Sequence, residues 1–176
     1  MELEQLYDGR HFPEYLYDDW DASVTLSLPS DASAKETVFL PYSEAVLFRT
    51  LQRIGAKNPW QCTMEAEGNR ICPAVLSVFT TENNLKDCLG GLNVLAKCYR
   101  GFDDDTVSKF HAVFDTVWPK TPKDTVRLAE NLELFDFIPN IQTPEELGEY
   151  MVKESGCFEY DPNLEDIYDY KKMGEQ

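Results

Sequence analysis

The chain has 176 residues, 43% of them hydrophobic and 12% aromatic, a composition that builds a folded core and excludes a disordered tail. Its 32 acids against 16 Lys+Arg give a formal charge of −16. That field repels phosphate backbones and anionic lipid headgroups, so the chain is not expected to bind nucleic acid or a membrane surface directly. No apolar run approaches the roughly 18 residues of a membrane span. The first residues lack the basic and apolar regions of a secretory signal, and five cysteines, an odd number, fit reduced thiols in a cytosol.

The acids are segregated. Residues 1–34 hold eight acids and one base, residues 35–127 eleven acids and twelve bases, and residues 128–176 thirteen acids and three bases. Solubility needs only a few net charges, so an excess gathered at both ends of a balanced middle reads as an interaction surface.

In chain order, residues 1–22 read as an acidic aromatic arm, with Tyr7, Phe12, Tyr15, Tyr17 and Trp20 among acids. Residues 23–28 (SVTLSL) alternate with period two and residues 36–40 (ETVFL) are β-prone, which predicts a hairpin around the Pro29 turn. Ser43 opens a helix with Val46, Leu47, Leu51 and Ile54 on one face, and Gly55 stops it. Residues 60–65 (WQCTME) alternate again and are expected to return to the same sheet, before a turn at Gly68 and an apolar run over 71–79. From about Asn83 the period becomes helical, with Leu85, Leu89, Leu92, Ala96 and Tyr99 in one stripe. The pair Gly90-Gly91 interrupts that stripe and implies close packing or a kink. Asp103 to Asp105 favour the start of the next helix through its dipole, and Val107, Phe110, Phe114 and Val117 form its apolar face. Thr121-Pro122 with Asp124, and Thr143-Pro144 with Glu146, both place Thr at the N-cap, Pro at N1 and an acid at N3. Gly156 is expected at C′ of the second of these helices, and residues 132–138 (LELFDFI) read as a strand. The fold class is α+β, divided as an arm over 1–22, a small antiparallel sheet plus helix over 23–80, a helical domain over 81–120 and an acidic α+β domain over 121–176.

Catalytic chemistry finds little support. His11 lies in the arm and His111 sits one residue off an apolar stripe, so neither is placed for a Ser-His or Cys-His pair. Cys62, Cys72, Cys88, Cys98 and Cys157 lack the short spacing of a zinc site, and no phosphate-binding glycine loop is present. Asp103 to Asp105 read as helix capping rather than as Mg²⁺ ligands. No enzyme, cofactor or metal is therefore expected. The acidic end carries more. Residues 128–170 hold twelve acids and the single base Lys153, interleaved with Leu128, Leu132, Leu134, Phe135, Phe137, Ile138, Leu147, Tyr150 and Met151. An apolar framework of that density holds the carboxylates on a folded surface, where they present an anionic ridge to the basic groove of a DNA-binding protein. A homodimer would double the charge, matching a duplex on the order of 54 Å long at ~1.7 Å per charge.

Residues 131–139 (NLELFDFIP), 146–156 (ELGEYMVKESG) and 162–170 (PNLEDIYDY) followed by Gly174 resemble the ArdA-type antirestriction proteins. Residues 92–96 (LNVLA) with 102–105 (FDDD) look like that family's central helices, and residues 26–29 (LSLP) are more weakly similar. The resemblance implies an elongated array of small domains, a homodimer shaped like bent DNA, and a bacterial, cytoplasmic protein of a plasmid or conjugative transposon. Such a protein occupies the DNA groove of a type I restriction–modification complex. Residues 1–22 depart from the family's opening strand with its N-x-G segment, and the family usually continues past the Y-D-Y…G segment. The acids expected to stand in for phosphates are Glu130, Glu133, Asp136, Glu145, Glu146, Glu149, Glu154, Glu159, Asp161, Glu165, Asp166 and Asp169. The reading from a different class is an acidic protein–protein interaction module with no restriction target.

Overall fold

Alternating apolar residues place Ala22, Val24 and Leu26 on one face of a strand, and all three are fully buried. The computed structural model describes residues 20–79, 85–138, 141–156 and 159–175. Strand β1 (Ala22–Leu28) is central, flanked antiparallel by β2 (Asp31–Leu40) and β3 (Thr63–Gly68). The expected hairpin forms with a tighter turn, because Asp31 Oδ1 accepts both the amide and the hydroxyl of Ser33 and so starts β2 early. On the outer face Thr25 pairs with Thr37 at 2.9 Å and Ser27 with Thr63 at 2.8 Å, cross-strand hydroxyl contacts that fix the register. β3 returns to the sheet as expected, three residues late, since Pro59–Gln61 form a 3₁₀ turn whose Gln61 side chain accepts the amides of Lys57 and Asn58.

Helix α1 (Glu44–Ile54) is capped by Ser43 and ends at Gly55, whose φ of 76° a side chain would resist. The apolar run after Gly68 becomes a single helical turn, α2 (Pro73–Leu76), continued as 3₁₀ over Ser77–Phe79. Helix α3 (Leu85–Gly101) buries Cys88, Leu89, Leu92, Leu95, Ala96 and Tyr99. Helix α4 (Asp104–Val117) is capped by Asp103 and buries Phe110 and Phe114, while Val117 at its end is exposed. Helix α5 (Pro122–Glu130) is capped by Thr121. The Asn93 side chain accepts the Tyr42 amide and donates to the Tyr42 carbonyl, fastening α3 to the entry of α1.

Asp21 ties sheet to helix. Its carbonyl accepts the amides of Asn69, Arg70 and Ile71, and its buried carboxylate lies 3.3 Å from Arg70 and 3.6 Å from Arg100. Arg70 in turn donates to the carbonyls of Tyr99 and Phe102. Residues 20–22, expected in the arm, therefore belong to the sheet region, with the Trp20 ring 5.7 Å from Phe39. The rest of the arm, with His11, lies outside the described residues.

The chain forms two compact units, Met1–Phe135 and Asp136–Gln176. In the first, one cluster of buried side chains runs from Ala22 to Leu132, so the segments divided at residue 80 share a core. Helix α5, grouped by sequence with the acidic end, closes this core. A Cβ on Gly91 of α3 would stand 3.1 Å from the Phe79 ring and 3.4 Å from Pro122, which accounts for glycine there by close packing. The strand expected over 132–138 does not form. Leu132–Leu134 is a 3₁₀ turn, because the Asn131 carbonyl takes the Leu134 amide and the Leu132 carbonyl takes that of Phe135, which leaves no ladder.

The second unit is built from helix α6 (Pro144–Lys153), a 3₁₀ segment (Pro162–Ile167) and helix α7 (Tyr170–Gly174). The capping box at Thr143 forms as expected, with the Glu146 carboxylate accepting the amides of Gln142 and Thr143. Gly156 has φ of 70° but stands one residue beyond C′, because Glu154 is the C-cap and the amides of Glu154 and Ser155 both reach the Tyr150 carbonyl.

Candidate functional site

In the first unit Glu130 is exposed on the last turn of α5, where the helix dipole opposes a negative charge, and Glu133 is exposed in the following 3₁₀ turn. Neither forms a hydrogen bond or ion pair among the described residues.

The second unit carries the other ten expected acids. Asp136, Glu145, Glu154, Glu159 and Asp166 are exposed and likewise form no hydrogen bond or ion pair among the described residues. The remaining five are held locally. Glu146 belongs to the capping box, and its three hydrogen bonds keep its carboxyl below the usual range. Asp161 caps the 3₁₀ segment through the Asn163 amide and side chain, and Asp169 caps α7 through the Lys172 amide. Glu149 and Glu165 both bind the Lys153 ammonium, at 2.9 and 2.7 Å. Glu165 also accepts the Tyr160 hydroxyl at 2.5 Å. Hydrogen bonding by Glu165, then by Glu149, raises the Lys153 pKa, and the Lys153 and Tyr160 bonds lower that of Glu165. Glu165 alone of the twelve acids is half-buried.

Around this clasp three tyrosines gather, Tyr168 stacked on Tyr170 and Tyr160 tilted against Tyr168. Tyr160 and Tyr168 lie 6.0 Å apart, Tyr168 and Tyr170 5.8 Å apart, and the Lys153 ammonium sits 5.2 Å from the Tyr170 ring. The spacing from Glu149 to Lys153 is the four residues that set a helical ion pair, so half of this clasp is present in the sequence. Its partner Glu165 comes from a separate element and left no local signal.

Sequence reasoning missed an apolar feature of the same segment. Leu164 and Ile167 are 44% and 76% exposed. In a 3₁₀ helix residues three apart eclipse, so these two share one face.

Two cavities lie in the first unit. One of about 510 Å³ lies between β3 and the Pro73–Phe79 region, and one of about 800 Å³ is lined by Gly90 and Gly91, by the bases Lys86, Lys123 and Arg127, and by the carboxylates Asp87 and Glu130, the last an expected site acid. Neither includes a cysteine or His111 in its wall. His111 is instead bonded to the Tyr99 hydroxyl at 3.0 Å, the boundary position its spacing predicted. Among the described residues no cluster of His, Cys, Asp or Glu is arranged to hold a metal ion, and no helix is long and apolar enough to cross a membrane. No family model, curated protein or solved structure matches the chain.

Proposed function

We propose that the protein is a non-enzymatic DNA mimic that binds and inhibits a type I restriction–modification complex in the bacterial cytoplasm. The observation that carries this reading is the state of the acids: eleven of the twelve are exposed, and residues 136–176 hold eleven acids against three bases. Carboxylates held on a folded frame, with Lys153 the one base among them between residues 128 and 170, present the charge that a DNA-binding groove is built to accept. The resemblance of the C-terminal segments to ArdA-type proteins supplies the restriction complex as the target. A purified type I methyltransferase core bound to its DNA tests the reading. Displacement of the duplex at micromolar protein is expected, with affinity falling steeply from low to moderate salt. No displacement at that concentration would sink it.

The second reading, an acidic interaction module with no restriction target, is favoured by the exposed apolar pair Leu164 and Ile167. A partner that binds chiefly through this pair would hold its affinity as salt rises.

A further inference from the structure

We infer that the second unit docks through an apolar ridge, Leu164 and Ile167, onto a cationic amphipathic protein segment, one that sets an apolar strip between lysines or arginines. This rests on the proposed reading that the acidic surface binds a protein, and it specifies the chemistry of that partner. The 3₁₀ geometry sorts the segment Pro162–Ile167 into three columns of residues three apart. Pro162 and Glu165 form one, and Glu165 turns inward to Lys153 and Tyr160. Asn163 and Asp166 form the second, both exposed. Leu164 and Ile167 form the third. Asp166 flanks the ridge in the neighbouring column, Asp161 and Asp169 cap the elements just before and after it, and between Glu154 and Tyr170 the sequence contains no base.

Charge decides the occupant. A second copy would bring eleven acids and three bases against the same number, so like charges oppose self-docking through this face. An anionic lipid or a nucleic acid is repelled for the same reason. A purely hydrophobic partner would have to strip water from these carboxylates without replacing its hydrogen bonds. A cationic segment with an apolar strip satisfies both parts at once. Its aliphatic side chains cover Leu164 and Ile167, and its ammonium or guanidinium groups reach the carboxylates. Real DNA offers a cationic groove no such ridge, so this contact is where a protein mimic gains over the duplex it imitates.

The test uses the full chain, two synthetic helical peptides of equal positive charge, one with a leucine face and one with serine in its place, and the methyltransferase core. The leucine-faced peptide should bind roughly tenfold or more tightly than the serine peptide. The double substitution Leu164→Ser with Ile167→Ser should erase that difference and leave the melting temperature unchanged, since both side chains are exposed. Ile167→Met, which keeps an apolar side chain, should retain most of it. The same double substitution should weaken binding to the core and remove the part that survives about 0.5 M salt. Equal binding of both peptides, or a double variant that binds as the parent does, overturns the inference. Sedimentation showing that the double substitution dissolves a dimer instead also overturns it, by making a second copy the occupant. Failure to bind the core, with the peptide preference intact, removes the restriction target and leaves the docking chemistry standing.

Discussion

A Cβ added to Gly148 would overlap the carbonyl oxygen of Tyr170, so the middle of α6 and the first residue of α7 meet backbone to backbone. Gly174 makes the reciprocal contact, where a Cβ would overlap the Pro144 carbonyl and stand 3.0 Å from the Gly148 amide nitrogen. Backbone cannot yield as the end of a flexible side chain can, so Gly148→Ala and Gly174→Ala should each destabilise the second unit by about 1–3 kcal/mol. Near-UV circular dichroism follows this through the second unit's tyrosines, and the first unit, monitored by the fluorescence of Trp20, Trp60 and Trp118, should be unaffected. Parent-like unfolding of both variants would show that the helices do not pack through these glycines.

The two central glycines of α3 should behave oppositely. A Cβ on Gly90 would meet nothing within 4 Å, whereas one on Gly91 would press on the Phe79 ring at 3.1 Å. Gly90→Ala should therefore stabilise the first unit by about 0.5–1 kcal/mol, the usual gain of alanine over glycine inside a helix. Gly91→Ala should be neutral to destabilising. Denaturant midpoints of the two variants compare the effects directly, and a stabilising Gly91→Ala would show that Phe79 moves aside freely.

Helix caps and period-two alternation in the sequence were faithful, while non-local signals were silent. Ser43, Asp103, Thr121 and Thr143 act as the caps their positions predicted, because capping depends on residues within three positions of the helix start. The hairpin and the return of β3 followed from period-two alternation. The run over 132–138 misled because its apolar residues serve different purposes: Leu132 is buried in the first unit while Leu134 is 75% exposed. Hydrophobicity alone cannot separate these roles. The surface was legible as a concentration of acids, but not which of them the fold uses. The Lys153 clasp joins Glu149 to Glu165 across two elements, and the spacing announces only its Glu149 half.

Acid should loosen the second unit through two of its carboxyls. Glu165 and Glu146 have folded pKa values below the ordinary 4.5, the first through Lys153 and Tyr160, the second through the amides of Gln142 and Thr143 and the Thr143 hydroxyl. A depressed carboxyl contributes stability that is present above its unfolded pKa and lost as pH falls through the folded one. The unit should therefore lose stability as pH drops below about 4.5. Lys153→Met should shrink the Glu165 share and spare that of Glu146. Lys153, whose pKa is raised, contributes in the opposite sense, fully below 10.5 and less as pH climbs beyond it. Denaturant midpoints against pH, read by far-UV dichroism, check both limbs, and an acid limb unchanged by Lys153→Met would mean that the clasp adds no stability.

The sharpest prediction separates acids that serve the fold from acids that serve a partner. Glu145, Glu149, Glu165, Asp166 and Asp169 all look dispensable in the sequence, since Glu145 and Glu149 repel at four-residue spacing and no base occurs between Lys153 and Lys171. The structure divides them. Glu149 and Glu165 hold Lys153, and Asp169 caps α7, so neutralising these three removes local bonds. Glu145 and Asp166, joined by Glu154 and Glu159, are exposed and form no hydrogen bond or ion pair among the described residues. Changing those four to Gln or Asn removes mutual repulsion and should leave the melting temperature equal or higher. Binding to the methyltransferase core should weaken and its salt dependence flatten, because fewer charges then meet the groove. Glu149→Gln with Glu165→Gln should instead lower the melting temperature of the second unit. If the fourfold variant displaces DNA as well as the parent does, these carboxylates are solvated surface and the phosphate-like contacts lie elsewhere.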